Sequence, residues 1–331
     1  MTSTRPHRRV AFRARALDAA PEPVLERVRL VLAGRLEARL RRSTEARGAA
    51  LVFHAVAPTG GDPWHEIEPA VSIDRLDAVI RYLARRYALV LAAELPAAVR
   101  ARQPGDRVPI AVTFDDDLVS HREHAEPVLR RHDAVATAFL CGATEPFWWQ
   151  LLQAAVDRRA IAADALVPVD AELVRSSLER RPAAVRRLAQ AIEELRPAER
   201  DRVVAVLTRA VPDHPPVLGP DGAQALAAAG WEIGFHTRRH DVLTSLDDSA
   251  LRTAIERVGG TRGVRTLAYP HGKATQREAR AAREAGYVAA YTGRDEVLKD
   301  CTDDYMIGRL QPDTTTPGGF GLELARALSA P

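Results

Sequence analysis

The stretch Val112-Thr113-Phe114-Asp115-Asp116-Asp117 closes an apolar, β-rich run with three adjacent carboxylates. A strand of this kind carries its side chains into a hydrophobic core, where clustered negative charge is unfavourable unless a positive group compensates it. A divalent metal ion is a natural compensating group. The stretch therefore predicts a buried strand whose carboxyl end lies at a metal site.

A second apolar run, WEIGF at residues 231–235, continues directly into His236-Thr237-Arg238-Arg239-His240. Its two imidazoles are four residues apart in the sequence. Two histidines and one carboxylate are the ligand set of an open catalytic metal site. A second carboxylate beside the ligand can act as a general base. The two runs together predict a metal-dependent catalytic centre.

The rest of the chain alternates predicted strands and helices. Strands are predicted at residues 49–56, 88–92, 108–114, 134–141, 231–235, 264–269, 288–292 and 306–310. Helices are predicted at residues 73–86, 123–132, 222–229, 246–258 and 275–285. This alternation is typical of a parallel α/β barrel or a doubly wound sheet, whose chemistry lies at the C-terminal edge of the strands. Ionisable side chains lie at or beyond such ends: His54, Asp115, Asp116, His236, His240 and His271.

Two parts of the chain depart from this alternation. Residues 1–48 predict a basic tail and one long amphipathic helix, which either packs on the rest of the chain or contacts a partner or a membrane surface. Residues 145–220 open with Pro146-Phe147-Trp148-Trp149, continue as Arg- and Ala-rich helices and end in a Pro-rich loop. We expect a helical insertion there, over one end of the sheet, within a catalytic domain at residues 49–331.

The composition limits the classes of function. Of the 331 residues, 46% are hydrophobic, which is enough for a core. The net charge of +3 is too small to indicate a nucleic-acid partner. Cys141 and Cys301 are too isolated for a disulfide framework or a cysteine zinc site. Because neither a secretory signal nor a membrane span is apparent, we expect a cytoplasmic protein without an integral membrane segment, of undetermined oligomeric state.

Together, in this order, the motifs resemble those of the polysaccharide deacetylase family (carbohydrate esterase family 4, the NodB-homology domain). Residues 113–116 are similar to its T-F-D-D motif, residues 236–240 to H-[ST]-x-x-H, and residues 269–272 to a third motif that usually reads like P-Y-G. Residues 230–234 resemble its G-x-E-[IV]-G lead-in, and residues 136–140 its A-T-F-F strand. The resemblance covers roughly residues 49–312 and implies a distorted (β/α) barrel.

The resemblance also implies a reaction, the removal of N-acetyl groups from amino sugars, usually with Zn²⁺. Carried over to this chain, Asp116, His236 and His240 hold the metal. Asp115 is the general base, which takes a proton from the attacking water. The backbone N–H of His271 corresponds to the family's oxyanion donor.

Further residues are candidates for substrate binding. Tyr269 and Pro270 belong to the third motif. Trp148 and Trp149 open the insertion, where aromatic faces suit the stacking of sugar rings, although such aromatic side chains more often belong to a core. We therefore expect an N-acetylated carbohydrate as the substrate.

The sequence departs from the family pattern at three places. Asp117 replaces the usual Gly, which suggests an unusual φ there and adds a third negative charge that could raise the pKa of Asp115 or change the metal preference. No Arg precedes Pro270 by two residues, where the third motif often has one, and Arg265 is the nearest. The late L-x-H motif that supplies the general acid is absent after Pro270.

One branch of the family carries an N-terminal Y-H-x-V strand whose His can replace this acid, and residues 51–56 look like that element. His54 is therefore the first candidate for the acid and His271 the second. Other histidines, His121 among them, are expected on the surface or in loops.

Three functions follow from these observations. The first is a metal-dependent deacetylase acting on an N-acetylated amino sugar in a glycan, a glycan precursor or a glycoside. The second keeps the metal but hydrolyses a non-sugar amide or imide. The third is a catalytically inactive, sugar-binding homologue, to which the missing acid motif and Asp117 would point and against which the intact metal ligands argue.

Overall fold

The alternation of strands and helices is confirmed by a computed structural model, which describes residues 21–256, 264–312 and 316–330. The predicted basic tail lies in residues 1–20, outside the described part. The strands are β1 (Arg47–Phe53), β2 (Val56–Ala57), β3 (Val71–Ser72), β4 (Ala88–Val90), β5 (Pro109–Asp115), β6 (Thr137–Leu140), β7 (Glu232–Phe235), β8 (Thr266–Ala268), β9 (Ala289–Tyr291), β10 (Leu298–Lys299) and β11 (Arg309–Leu310).

The helices surround these strands, and the short ones lie in the connections. They are α1 (Glu22–Arg42), α2 (Ile73–Arg86), α3 (Leu95–Ala101), α4 (Glu126–Arg131), α5 (Trp148–Asp157), α6 (Ala171–Leu178), α7 (Ala184–Glu193), α8 (Pro197–Ala210), α9 (Gly219–Ala228), α10 (Asp248–Ile255), α11 (Gln276–Glu284) and α12 (Pro317–Ser329). None of the helices in the described residues has the length and apolarity of a membrane span.

The main sheet is parallel and nearly closed. Strands β1, β5, β6, β7, β8 and β9 pair in parallel in that order. On its other side β1 pairs in parallel with β11, and Ile307, just before β11, pairs with Tyr291 of β9. Residues 307–310 therefore join the two edges of the sheet. The result is the distorted (β/α) barrel that the resemblance implied, with an N-terminal helix and a helical insertion.

The barrel core explains why the central strands read as continuous apolar runs. Strands β1 and β5 are buried along their whole length, because parallel strands inside a ring of helices have both faces covered. One cluster joins small side chains of several strands, among them Ala50, Ala111 and Ala268, with Phe139 and Tyr291. Asp115 follows Ala111 and Thr113 in a two-residue period, so its carboxylate points to this same inner face.

The helical insertion has a hydrophobic core of its own. Helices α5 to α8 bury a separate cluster of apolar side chains that includes Leu152, Leu188, Ile192 and Leu207. Outside the insertion, α1 packs against α12. Glu37 of α1 accepts hydrogen bonds from the hydroxyl of Tyr82 and the guanidinium of Arg86, both in α2. The domain boundary placed at residue 48 stays a prediction.

Several sequence expectations are corrected by the structure. Helices α3 and α12 and strand β10 were not predicted, and the ends of most predicted strands move by one to three residues. His121 was expected on the surface or in a loop, and this was wrong. Its side chain is fully buried in a π-helical turn, His121–Ala125, that leads into α4.

Candidate active site

The carboxyl ends of the barrel strands open into a cavity of about 720 Å³. The structure brings the ionisable side chains predicted at the strand ends together there. The lining includes His54, Asp115, Asp116, His236, His240 and His271, together with Glu68, Trp148, Trp149, Gln190, Glu193, Glu194, Asp295 and Arg309. The cavity is therefore assembled from at least four strand ends and from the helical insertion.

Asp116, His236 and His240 converge as a metal ligand set. One ligand atom from each lies within 4.8 Å of the other two. The Asp116 Oδ1 atom is 3.7 Å from His236 Nε2 and 3.5 Å from His240 Nε2. Tetrahedral zinc with bonds of 2.0–2.2 Å needs ligand atoms about 3.3–3.6 Å apart, and the two distances from Asp116 are close to that spacing. The Nδ1–H of His236 donates to the carbonyl of Ala268 at 2.9 Å, which leaves Nε2 free for an ion.

The electrostatics of these three residues also fit a bound cation. The Asp116 Oδ1 atom is buried and has no hydrogen-bond partner among the described residues. Burial raises the pKa of Asp116 to about 8, and neighbouring carboxylates add to the effect. Burial lowers the pKa of His236 to about 4 and lowers that of His240. Neutral imidazoles are ready to bind a divalent ion, which would displace the proton of Asp116 and compensate the charge of its carboxylate.

Two of the ligands sit on strained backbone. Asp116 has a φ of 73° and His240 a φ of 52°, both in the left-handed region that non-glycine residues rarely adopt. Such strain concentrates at functional sites, where the surrounding structure holds it in place. Asp117 does not share this conformation, so the unusual φ inferred from the family's Gly falls one residue earlier.

Asp115 is held by an arginine that the sequence analysis did not single out. Arg309 donates to both carboxylate oxygens of Asp115, at 2.6 and 2.7 Å, and both side chains are almost fully buried. Burial alone would raise the pKa of Asp115, but the Arg309 guanidinium outweighs it and holds that pKa well below its usual range. The pKa of Asp115 is therefore lowered, not raised as the extra charge of Asp117 suggested.

Arg265, the arginine nearest to the third motif, is not brought to the site. It is exposed and precedes β8, at the end of the strand remote from the cavity. Arg309 lies instead in β11, within the strand predicted at residues 306–310. The sequence did contain a signal for this pairing, namely a single arginine inside a short apolar strand. A guanidinium buried in such a strand requires a buried acceptor such as a carboxylate.

Asp117 is bound by backbone groups and does not face the cavity. Among the described residues it is absent from the cavity lining, and its carboxylate accepts the backbone N–H groups of Cys141, Gly142 and Ala143. Burial raises the pKa of Asp117 to about 6 although these N–H groups act in the opposite direction. The thiol of Cys141 in turn donates to the carbonyl of His236 at 3.3 Å.

The two candidate acids differ in their charge environment. His54 follows β1, its side chain is 25% exposed, and its Nδ1 lies 3.3 Å from Glu68 Oε1. Burial lowers the pKa of His54, but the carboxylates around it, Glu68 first, raise the pKa above its ordinary value. His271 Nε2 lies 3.3 Å from Glu193 Oε1, yet burial lowers the pKa of His271. His54 is therefore the better proton donor near neutral pH.

A substitution test separates these two candidates. For the deacetylation that the sequence resemblance implies, we expect His54→Ala to reduce the rate by on the order of 10²–10⁴, the scale of positioned proton transfer. His271→Ala should reduce it much less, because its backbone N–H is retained. Steady-state rates and Zn²⁺ titration of both variants provide the measurement. Equal losses in the two variants, or weaker Zn²⁺ binding by His54→Ala, would contradict this assignment.

The predicted substrate-contacting residues divide into two groups. Trp148 and Trp149 line the cavity, and the ring of Trp149 lies 4.7 Å from that of His240. Tyr269 and Pro270 are buried and do not appear in the lining formed by the described residues. The Tyr269 hydroxyl donates to the carbonyl of Tyr305 instead. These two buried residues directly precede His271 and anchor its loop in the core.

The insertion contributes polar side chains that the sequence analysis did not identify. Glu193 of α7 contacts both His271 and Arg200, whose guanidinium is 3.0 Å from Asp241. Asp241 directly follows His240. A chain of polar contacts therefore connects the insertion with the loops of two site histidines.

Comparison with known proteins gives one family match. Residues 184–290 match the family model described as polysaccharide deacetylase. This span contains His236, His240 and His271 but neither Asp115 nor Asp116. No curated protein matches this chain.

Solved structures share the fold. The Streptococcus pyogenes deacetylase PplD, determined in complex with acetate, has a TM-score of 0.56 and 13% sequence identity, over 87% of this chain and 100% of its own. BC0361, a polysaccharide deacetylase from Bacillus cereus, has a TM-score of 0.51 and 15% identity, over 85% of this chain and 70% of its own. At such identities the likeness shows a common fold.

Proposed function

We propose that this chain, of which residues 184–290 match the polysaccharide deacetylase family model, is a hydrolase of amide bonds that removes the N-acetyl group from an amino sugar in a metal-dependent reaction. The amino sugar would belong to a glycan, a glycan precursor or a glycoside. The observation that carries this proposal is the convergence of Asp116, His236 and His240 beside the ionised Asp115 in one cavity. The names of the structural relatives, which are deacetylases, agree with it.

The ligand set fits Zn²⁺ best, since two imidazoles and one carboxylate with an open position suit that ion. Asp116, His236 and His240 would hold it. When bound, it would polarise the acetyl carbonyl and lower the pKa of water at the site.

The remaining catalytic roles fall to groups of the protein itself. Asp115 accepts the proton of the attacking water, and Arg309 keeps its carboxylate ionised and fixed in orientation. The backbone N–H of His271 is the proposed donor to the developing oxyanion. His54 supplies the proton with which the amine leaves. Trp148 and Trp149 offer aromatic faces to the sugar ring.

A release assay tests the proposal directly. The purified chain, stripped with a chelator and reloaded with Zn²⁺, is incubated with N-acetylated mono- and oligosaccharides and with non-sugar acetamides, and free acetate is measured. We expect metal-dependent release from the sugars. Release from the non-sugar amides alone would overturn the substrate class, and sugar binding without release in all metal states would favour an inactive homologue.

The ligand assignment has a test that needs no substrate. His236→Ala should weaken Zn²⁺ binding by at least about 10²-fold, because loss of a ligand exceeds the 10–100-fold effect of losing a supporting group. Calorimetric titration of the stripped protein provides the measurement. His132→Ala is the matched control, since His132 pairs with Asp77 away from the cavity. An unchanged affinity in His236→Ala would remove this residue from the ligand set.

A further inference from the structure

Asp117 is in contact with both ends of the helical insertion. Its carboxylate accepts the N–H groups of Cys141, Gly142 and Ala143 at 2.8, 3.0 and 3.0 Å, where the chain leaves β6 towards α5. Its backbone carbonyl accepts the N–H of Leu218 at 2.8 Å, where the chain returns from α8. Next to it, Leu118 and Val217 form an antiparallel bridge.

The hydrogen bonds to the Asp117 carboxylate are stronger than ordinary neutral hydrogen bonds. A carboxylate that accepts three backbone N–H groups forms charge-assisted hydrogen bonds, which exceed neutral ones in strength. The side chain of Asp117 is buried, with an exposed fraction of 2%, so water does not compete for its oxygens. One residue thereby fixes the entry of the insertion through its side chain and the exit through its backbone.

The insertion fixed in this way forms a wall of the cavity. Trp148, Trp149, Gln190 and Glu193 all come from it and line the cavity. Beyond Asp117, the contacts of Glu193 with His271 and of Arg200 with Asp241 hold it against the catalytic loops. Weakening the attachment at Asp117 should therefore move the wall, while these remaining contacts prevent its full detachment.

We propose that Asp117 is a positioning residue that sets the helical insertion on the barrel and, through it, the substrate-contacting wall of the cavity. The catalytic consequence rests on the proposed function, whereas the structural consequence is independent of it. Asp117 then affects the binding of an extended substrate more than the chemical step. Asp117 stands where the family usually has glycine. In this proposal its side chain serves to attach the insertion, and the replacement does not indicate a loss of activity.

The test compares Asp117→Asn and Asp117→Gly with the unaltered chain. Asparagine places an NH₂ group against at least one N–H donor, and glycine removes all three bonds. We expect amide hydrogen exchange to rise on the order of tenfold in residues 141–143 and in α5, and to stay unchanged in β5 and β7. With an N-acetylated oligosaccharide, KM should rise on the order of tenfold while kcat and Zn²⁺ affinity stay within about twofold.

Asp247→Asn is the matched control, because Asp247 also accepts two backbone N–H groups, at the start of α10, away from the insertion. It should leave KM and exchange in α5 unchanged. If Asp117→Gly does not fold, the hydrogen exchange and the KM of Asp117→Asn alone test the proposal. Unchanged exchange in α5, or a fall in kcat with KM unaltered, would overturn the proposal. If the unaltered chain releases no acetate, the proposed function fails, and the exchange measurement still decides the role of Asp117.

Discussion

An Asp115→Asn variant is expected to lose kcat by on the order of 10²–10⁴ while it binds Zn²⁺ as the unaltered chain does. The amide has nearly the same shape as the carboxylate but accepts no proton from water. Because Asp115 is not one of the three converging ligand residues, the metal site should persist. Steady-state kinetics and calorimetric Zn²⁺ titration of the same preparation separate the two effects.

Asp304→Asn is the matched control for this substitution. Asp304 accepts the same two-pronged contact, from Arg100, but on the protein surface. Its replacement should leave kcat within about twofold, since exposed pairs contribute little. If Asp115→Asn retains full turnover, Asp115 is not the base. If it loses Zn²⁺ affinity to the extent of His236→Ala, it belongs to the ligand set.

Arg309→Met is expected to destabilise the folded chain by about 3–5 kcal/mol, the usual cost of removing one partner of a buried ion pair. Methionine approximates the length of the arginine stem, so most of the loss comes from the unpaired Asp115 carboxylate. Denaturant unfolding of the metal-free protein measures it. Arg100→Met, which breaks the exposed pair with the same geometry, should cost about 0–1 kcal/mol.

The stability lost in Arg309→Met should depend on pH in a predictable direction. The folded-state pKa of Asp115 lies below the ordinary 3.8, so its contribution to stability is present above that value and is lost as the pH falls below it. Without Arg309, burial raises the pKa of Asp115 instead, and the variant loses stability as the pH rises. The difference between the two proteins should therefore widen from about pH 4 to pH 7. A difference that narrows over this range would contradict the role given to Arg309.

The convergence of Asp116, His236 and His240 could be predicted from the sequence, because each residue directly follows or closely follows a buried strand. Asp116 follows a buried strand directly, and His236 and His240 are four residues apart after another one. Parallel strands meet at a common edge, so the motifs alone place them together. The same reasoning placed His54 at the cavity, because it also follows a predicted strand, whereas its role as the acid stays a prediction.

The pairing of Arg309 with Asp115 could not be predicted in this way. It depends on how the barrel closes, and strand β11 is two residues long, which is too short for a periodic signal. The role of Asp117 depends on N–H groups that become available only where β6 ends. The cavity wall depends on how α5 and α7 dock, whereas apolar periodicity predicts a helix and its buried face but not its partner.

The closure of the barrel through β11 has a consequence for biosynthesis. Asp115 and Arg309 are separated by 194 residues, so the ribosome releases the carboxylate long before its counter-ion. At about 5–20 residues per second the delay is roughly 10–40 s. Over that interval the Asp115 carboxylate has no Arg309 guanidinium to pair with, although the strand that carries it has already been synthesised. The ion pair that holds Asp115 is thus one of the last contacts of the barrel to form, so the candidate site is completed only late in synthesis.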